Sequence, residues 1–189
     1  MSPWPLSRTG DAFARSRRYK DPMPDSHHLA GRLTDRLRRN GAEVLHANPD
    51  NLSQTIIGLI GQRGWHRLVS VRRNRVGHPS VLGDEPPLET HEIAELDAVI
   101  TESALAVADL GVVVLDHGWG QGRPTLVTIP ETHVCVVEES AVVEDVATAD
   151  RRLDPARVTT WISGPEAPAD LVPGLHRPKS FIVVLVAAA

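Results

Sequence analysis

Three closely spaced glycines follow an apolar run in the middle of the chain and raise the question of a phosphate-binding loop. Gly118, Gly120 and Gly122 lie within GVVVLDHGWGQGRPTLVTIP, residues 111–130. A dinucleotide-binding loop needs the spacing G-x-G-x-x-G and a following helix whose amide end faces the pyrophosphate. Here the third glycine comes one residue early, and TLVTIP, residues 125–130, is rich in β-branched residues. A Walker A loop is excluded because no Gly-Lys-Ser/Thr follows. The pattern therefore predicts a β-hairpin whose strands are GVVVLD and TLVTIP.

Two side chains near the tip of this loop suit binding. Trp119 is larger than a turn requires, and Arg123 follows it closely. Trp and Arg are common anchors of protein interfaces, and arginine binds carboxylates through charge-assisted hydrogen bonds. Either the tryptophan folds back onto its own sheet, or the pair contacts an anionic ligand or a partner protein.

Other chemistry-bearing residues give weaker patterns. None of the nine histidines forms an H-x-x-x-H or H-x-E pair, and His27 and His28 sit at a helix start, where we expect them to be solvated. The single cysteine, Cys135, cannot form an internal disulfide, a cysteine zinc site or an iron–sulfur cluster, and we expect a buried, inert thiol. WISGP, residues 161–165, lacks the G-x-S-x-G elbow of serine hydrolases.

Four carboxylates lie near the ends of predicted strands. They are Glu102, Asp109, Asp116 and Asp170. Ligands of open α/β sheets bind beyond the strand ends, so these side chains are candidates for a site. Helix caps and turns use the same residue types at the same places, and this alternative stays open for each of them.

Hydrophobic periodicity defines the elements that must position these residues. A helix is predicted from Asp25 or Ser26 to Gly41, with Leu29, Leu33 and Leu37 on one face. A second amphipathic helix presents Leu52, Ile56, Leu59 and Ile60. A third helix is predicted at residues 142–153, one helical turn at 90–96, and an apolar link at 104–110. Strands are predicted at residues 43–47, 67–71, 97–103, 111–116, 125–130, 133–140, 158–164 and 180–187.

The order of these elements indicates an α/β fold with a mixed sheet flanked by helices. A chain of 189 residues suits one domain, which we expect at residues 26–189 behind a mobile, Pro- and Arg-rich arm at residues 1–25. The net charge of −4 and the aromatic content of 4% argue against nucleic-acid binding. No apolar run is long enough to span a membrane and no secretory signal begins the sequence, so we expect a cytoplasmic protein without membrane insertion.

Several blocks in the C-terminal half occur in a familiar order. They are DAVITESALAVADLGVVVLD, GQGR, TLVTIPETHVCVVEESAVV, WISGP and GLHRPKSFIVVLV. Together they resemble the lactate-utilisation protein C family, the LUD-domain proteins, over residues 97–187. The resemblance implies a fold like that of the NagB/RpiA/CoA-transferase group. It also implies a role in a bacterial system that oxidises L-lactate to pyruvate, in which partner subunits carry iron–sulfur clusters and this chain holds no cofactor.

The resemblance also suggests a small-carboxylate ligand site, although the family motifs are altered. The candidate ligand-binding residues are Asp109, Gly111, Arg123, Gly164, Asp170 and His176. Asp109 stands where the family has a glutamate, and Leu110 and Val112 replace threonines; Glu166 and Pro168 depart from a second motif. A carboxylate shortened by one methylene is enough to disturb a catalytic geometry. Either the ligand has been lost or changed, or the family's polar motifs are structural turns.

Three classes of function follow. The first is an accessory subunit of a lactate-oxidising iron–sulfur system, without independent catalysis. The second is a self-contained enzyme acting on a phosphosugar or a CoA ester, in which Glu102 or Glu166 would supply the glutamate nucleophile. A binding or regulatory protein with a degenerate site is a third alternative.

Overall fold

Helices and strands alternate in the first half of the chain, and short strands dominate the second. The computed structural model describes residues 26–71 and 76–187, so the predicted arm at residues 1–25 lies outside the described residues. The helices are α1 (Ser26–Arg39), α2 (Leu52–Arg63), α3 (Thr90–Ala94), α4 (Pro124–Thr128) and α5 (Val146–Arg152). The strands are β1 (Glu43–Ala47), β2 (Leu68–Ser70), β3 (Val81–Leu82), β4 (Ala98–Glu102), β5 (Leu105–Val107), β6 (Val112–Leu115), β7 (Thr132–Glu138), β8 (Val142–Val143), β9 (Thr160–Ile162) and β10 (Ser180–Val186).

A six-stranded parallel sheet forms the centre of the fold, in the order β1-β10-β7-β4-β2-β3. Side chains of β10 alternate between two apolar clusters. Ile182 and Val184 join the cluster that contains α2, while Val183 and Leu185 join the cluster that contains α1. A strand covered on both faces needs apolar residues at every position, which explains the nearly continuous apolar run of β10.

The two long helices cover opposite faces of this sheet through the residues predicted to face inward. In α1, Leu33 and Leu37 are completely buried. The inward residues of α2 are buried as well, and that helix ends at Gly64, whose φ of 65° is in the left-handed region that favours glycine. Within the described residues, no helix is long and apolar enough to cross a membrane.

A second, four-stranded sheet has the order β8-β5-β6-β9 and lies on the same face of the main sheet as α1. Its β5–β6 and β6–β9 pairs are antiparallel, and its β5–β8 pair is parallel. The α/β class with helices on the sheet faces is confirmed. The division of the strands into two sheets was not predicted, because strand pairing depends on contacts between residues far apart in sequence.

Three local predictions were wrong. TLVTIP forms helix α4 and not a strand, because Pro124 suits the first helical turn and because burial of Leu126 and Val127 overrides the β propensity. Residues 142–153 are not one helix, since β8 precedes α5. Asp145 begins α5 by accepting a hydrogen bond from the Thr148 amide at 2.7 Å. The apolar link at residues 104–110 contains strand β5.

Candidate functional site

Three of the predicted ligand-binding residues contact α1 and the turn that follows it. Asp109 forms an ion pair with Arg32 of α1. Gly111 has a φ of 65°, and a Cβ added there would lie 2.7 Å from the backbone carbonyl carbon of Arg36. A Cβ added at Gly164 would lie 2.1 Å from the backbone oxygen of Asn40. Through these three residues, α1 and the turn that follows it pack closely against the second sheet.

Asn40 connects the two glycines. Its side-chain amide donates to the Leu110 carbonyl at 2.9 Å and to the Ser163 hydroxyl oxygen at 3.0 Å. The Ser163 hydroxyl in turn donates to the Gly111 carbonyl at 2.6 Å. Sequence reasoning missed Asn40 and Ser163, although Ser163 lies in the WISGP block. The arrangement satisfies buried polar groups where helix and sheet meet, which is a structural role.

The remaining family-matched residues lie after β9. Asp170 is exposed. The His176 amide donates to the Trp161 carbonyl at 2.8 Å and extends the edge of β9. Burial lowers the pKa of the His176 imidazole, and its Nε2 atom has no hydrogen-bond partner among the described residues. Glu166 is exposed and its side chain lies against Gly41.

Arg123, the predicted anion contact, is bound to a carboxylate of the protein itself. Its Nε and Nη2 atoms donate to the Asp84 carboxylate at 2.8 and 3.1 Å. Nη2 also donates to the Leu88 carbonyl at 2.6 Å, and Nη1 donates to the Thr125 hydroxyl oxygen at 2.6 Å. Burial acts to raise the pKa of Asp84, but the hydrogen bonds from Arg123 and the Leu88 amide outweigh it and lower that pKa. Arg123 therefore ties the start of α4 to the segment before α3.

The glycine loop between β6 and α4 is held by several hydrogen bonds. His117 has a φ of 53° and places Nδ1 2.8 Å from the Gly122 carbonyl and Nε2 2.8 Å from the Thr160 hydroxyl. Because a carbonyl only accepts, Nδ1 carries the proton of that bond. The buried Gln121 side chain accepts from the Asp116 amide at 2.6 Å. At the tip, Trp119 remains 77% exposed and does not fold back onto the sheet.

The existence of α4 also removes one argument against a nucleotide site, because a helix does follow the glycines. The G-x-G-x-G spacing still departs from the dinucleotide fingerprint. The loop leaves β6 of the second sheet, whose strand neighbours are antiparallel, and α4 has five residues. A pyrophosphate site at this loop is therefore not supported.

A pocket lies near the carboxyl ends of β2, β4 and β7, which share one edge of the parallel sheet. Its empty volume, open mouth included, is about 270 Å³. The lining residues are Leu52, Ile56, Ser70, Val76, Ile100, Thr101, Glu102, Gly120 and Val136. Apolar walls with a few polar groups, at the carboxyl edge of a parallel sheet, are typical of small-molecule sites.

Strand alternation places the two polar side chains of this pocket. Ser70 ends β2 two residues after Leu68, and Glu102 ends β4 two residues after Ile100. Leu68 and Ile100 both belong to the cluster that contains α2, so Ser70 and Glu102 face α2 as well. The Glu102 amide donates to the Gly120 carbonyl at 2.9 Å, which brings the glycine loop over the end of β4. Sequence reasoning found Glu102 but missed Ser70, whose signal is a polar residue closing an apolar strand.

A buried polar group lies on the opposite face of the same strands. The Thr101 hydroxyl is 2.8 Å from His133 Nε2 and 3.6 Å from the Cys135 sulfur. Burial lowers the pKa of His133 to about 3 and raises the pKa of Cys135 to about 12. The expected burial of this thiol is confirmed. In residues 26–71 and 76–187, no three His, Cys, Asp or Glu side chains are placed to hold a metal ion.

Comparisons with known proteins agree with this architecture. The model of the LUD domain matches residues 89–186. The chain belongs to the LUD-domain family. A curated relative, lactate utilization protein C of Deinococcus radiodurans, is 34% identical over 185 residues, which cover 89% of this chain and 84% of that protein. The crystal structure of a DUF162 family protein from Deinococcus radiodurans superposes with a TM-score of 0.70 at 28% identity, covering 87% of this chain and 99% of that one.

The matched LUD region does not contain the whole pocket. Glu102, Gly120 and Val136 lie within residues 89–186, while Leu52, Ile56 and Ser70 precede them. Helix α1 and the turn that follows it, which Asp109, Gly111 and Gly164 contact, also precede the matched region. In this LUD-domain protein the N-terminal helices therefore complete both the core and the candidate site.

Proposed function

We propose that this protein is a component of a bacterial system that oxidises L-lactate to pyruvate, in which it acts as an accessory subunit. The observation that carries the proposal is the 34% identity, over 89% of the chain, to a protein named lactate utilization protein C. Membership of the LUD-domain family and the similar fold of a solved relative support it.

The accessory role rests on the thiol chemistry of this sequence. Iron–sulfur clusters are held mainly by several cysteine thiolates, and the sequence contains one cysteine. That thiol is buried, and burial raises the pKa of Cys135 to about 12. We therefore place the iron–sulfur centres on partner subunits. Trp119, exposed on a well-tethered loop, is the residue that we assign to partner contact, because exposed aromatic anchors are common in interfaces.

One observation favours a second candidate function, an enzyme acting on a CoA ester. Glu102 lines the pocket, as a glutamate nucleophile would have to. The walls of the pocket are mostly apolar, which suits the acyl end of such an ester. Phosphosugar chemistry has less support, because the arginine predicted to bind an anion is engaged by Asp84.

A growth experiment tests the proposed role. The gene is deleted in its source bacterium, in a background without other lactate dehydrogenases, and growth is compared on L-lactate and on pyruvate. We expect growth on pyruvate alone, with recovery on L-lactate when the gene is restored. Affinity purification of the tagged protein from lactate-grown cells should recover iron–sulfur proteins. Normal growth of the deletion strain on L-lactate would show that the proposed function is wrong.

A further inference from the structure

We propose that residues 173–177 form a strap that covers the outer edge of β9 at neutral pH and releases it when the His176 imidazole takes up a proton. The strap is the segment between two buried residues, Val172 and Pro178. This inference concerns a conformational change of the chain itself and does not depend on the lactate role.

The strap lies along one edge of the second sheet. Strand β9 is the last in the order β8-β5-β6-β9, and its other edge is paired with β6. The His176 amide donates to the Trp161 carbonyl at 2.8 Å, and the Ser163 amide donates to the His176 carbonyl at 3.1 Å. These two bonds form the isolated bridge between Ile162 and His176. Release of the strap therefore uncovers a backbone carbonyl and a backbone amide on an edge strand, where another strand can pair with them.

The strap is held more loosely than the chain on either side of it. Its residues are exposed or half-buried, whereas Val172 and Pro178 are buried. Gly174 turns the chain with a φ of 70°, and a Cβ added there would meet nothing within 4 Å. Besides the two bonds to β9, Arg177 donates to the Ala167 carbonyl at 2.9 Å. Segments with little buried surface open locally at a lower free energy than the core, so the strap can leave β9 without global unfolding.

The His176 side chain makes this opening sensitive to pH. Its Nε2 atom is buried and has no hydrogen-bond partner among the described residues, so an added proton gains no hydrogen bond there. Burial accordingly lowers the pKa of His176 below its ordinary value of 6.5. In the released strap the imidazole reaches water and regains its ordinary pKa. The released form therefore binds the proton more tightly, and a fall in pH through about 6.5 favours release.

The groups around His176 do not offset this effect. Strand β9 contributes no charged side chain, and Arg177, the next residue along the chain, is bonded to the Ala167 carbonyl. His133 of β7 is close enough for a charge on His176 to lower its pKa, and with a pKa of about 3 it stays neutral as His176 titrates. Within the part of the chain that the structure describes, no carboxylate contributes to the pKa of His176.

Hydrogen exchange of the full-length protein, followed by NMR, tests the proposal. The ratio of the observed to the intrinsic exchange rate gives the opening constant of each amide. For the His176 and Ser163 amides, this constant should rise several-fold from pH 7.5 to pH 5.5, with a ceiling of about tenfold set by the free imidazole. The amides of β10 report global unfolding. A rise below about twofold, or an equal rise in the β10 amides, would overturn the proposal.

Variants assign the pH response to one imidazole. His176→Gln should abolish the rise, because a glutamine side chain does not titrate. His91→Gln is the matched control, since His91 is an exposed histidine on α3, and it should respond to pH as the wild type does. A wild-type response in His176→Gln, or loss of the response in His91→Gln, would show that His176 does not control the strap.

A second variant keeps the proposal testable if His176→Gln fails to fold. Alanine is strained at the positive φ of Gly174, which disfavours the closed strap. Gly174→Ala should therefore raise the opening constants of the His176 and Ser163 amides by about tenfold at both pH values, while their ratio between the two pH values stays as in the wild type. Unchanged opening constants would show that residues 173–177 do not open as one unit, which would overturn the proposal.

Discussion

Replacement of Gly164 by alanine distinguishes a structural glycine from a ligand-binding one. An added Cβ would lie 2.1 Å from the Asn40 oxygen and 2.6 Å from the Ala42 nitrogen, whereas Cβ contacts below 3.0 Å are essentially never observed. Both neighbours are backbone atoms, so no side-chain rotation relieves the contact. The turn after α1 must move away from the residues that follow β9, which also strains the hydrogen bond from the Glu166 amide to the Asn40 carbonyl.

The cost follows from the packing. Overpacking of a close-packed site costs ~1–3 kcal/mol, and two backbone contacts place Gly164→Ala at the upper end, about 3 kcal/mol. For a domain of this size 1 kcal/mol changes Tm by ~2–4 °C, so Tm should fall by about 6–12 °C. Differential scanning calorimetry measures both the Tm and the enthalpy of unfolding.

Gly31→Ala, in helix α1, is the control for Gly164→Ala. Gly31 is exposed in the middle of α1, and an added Cβ would meet nothing within 4 Å. Alanine is favoured over glycine in a helix by ~1 kcal/mol, so Tm should rise by about 2–4 °C. A Gly164→Ala protein that keeps the wild-type Tm but fails to support growth on L-lactate would refute the structural explanation, because that combination needs the loss of a ligand or partner contact.

Three other perturbations test the buried histidine, the Arg123 anchor and the exposed tryptophan. Because burial lowers the pKa of His133 to about 3, only the unfolded chain takes up a proton below its ordinary pKa of 6.5. The free energy of unfolding should therefore fall as pH drops from about 6.5 towards 3, by up to ~1.4 kcal/mol per pH unit. His133→Gln should reduce this pH dependence, measured by urea titrations at several pH values. An unchanged pH dependence in the variant would show that His133 does not cause it. Arg123→Met should lower the free energy of unfolding by about 1 kcal/mol, a modest value because the arginine side chain is 35% exposed and solvent weakens its ion pair with Asp84. The same substitution should cost less in an Asp84→Asn background. Additive effects of the two substitutions in this double-mutant cycle would show that the ion pair does not stabilise the fold. Trp119→Ala should change stability by less than about 0.5 kcal/mol yet recover less partner protein in affinity purification, and undiminished recovery would count against the interface role.

Much of the local structure follows from residue patterns alone. The leucine spacing of α1 and the inward residues of α2 predict which helix faces are buried, because a helix of 3.6 residues per turn repeats its contacts every three or four residues. The continuous apolar run of β10 predicts a strand covered on both faces. The lone Cys135 in a Val-rich strand predicts an inert, buried thiol. These are short-range properties, in which neighbouring residues alone decide the outcome.

The candidate site depends on contacts that no local pattern specifies. Ser70 and Glu102 share a pocket because β2 and β4 are neighbours in a parallel sheet, although 31 residues lie between them in the sequence. Gly111 and Gly164 resemble loop glycines of a binding motif, and only the tertiary structure shows that the backbone at the end of α1 leaves no room for a Cβ at either position. The helix α4 forms against its own β propensity because burial of Leu126 outweighs it. In each case the free energy of long-range burial and close packing exceeds that of local conformational preference. The tertiary structure therefore decides where these residues lie and what they contact.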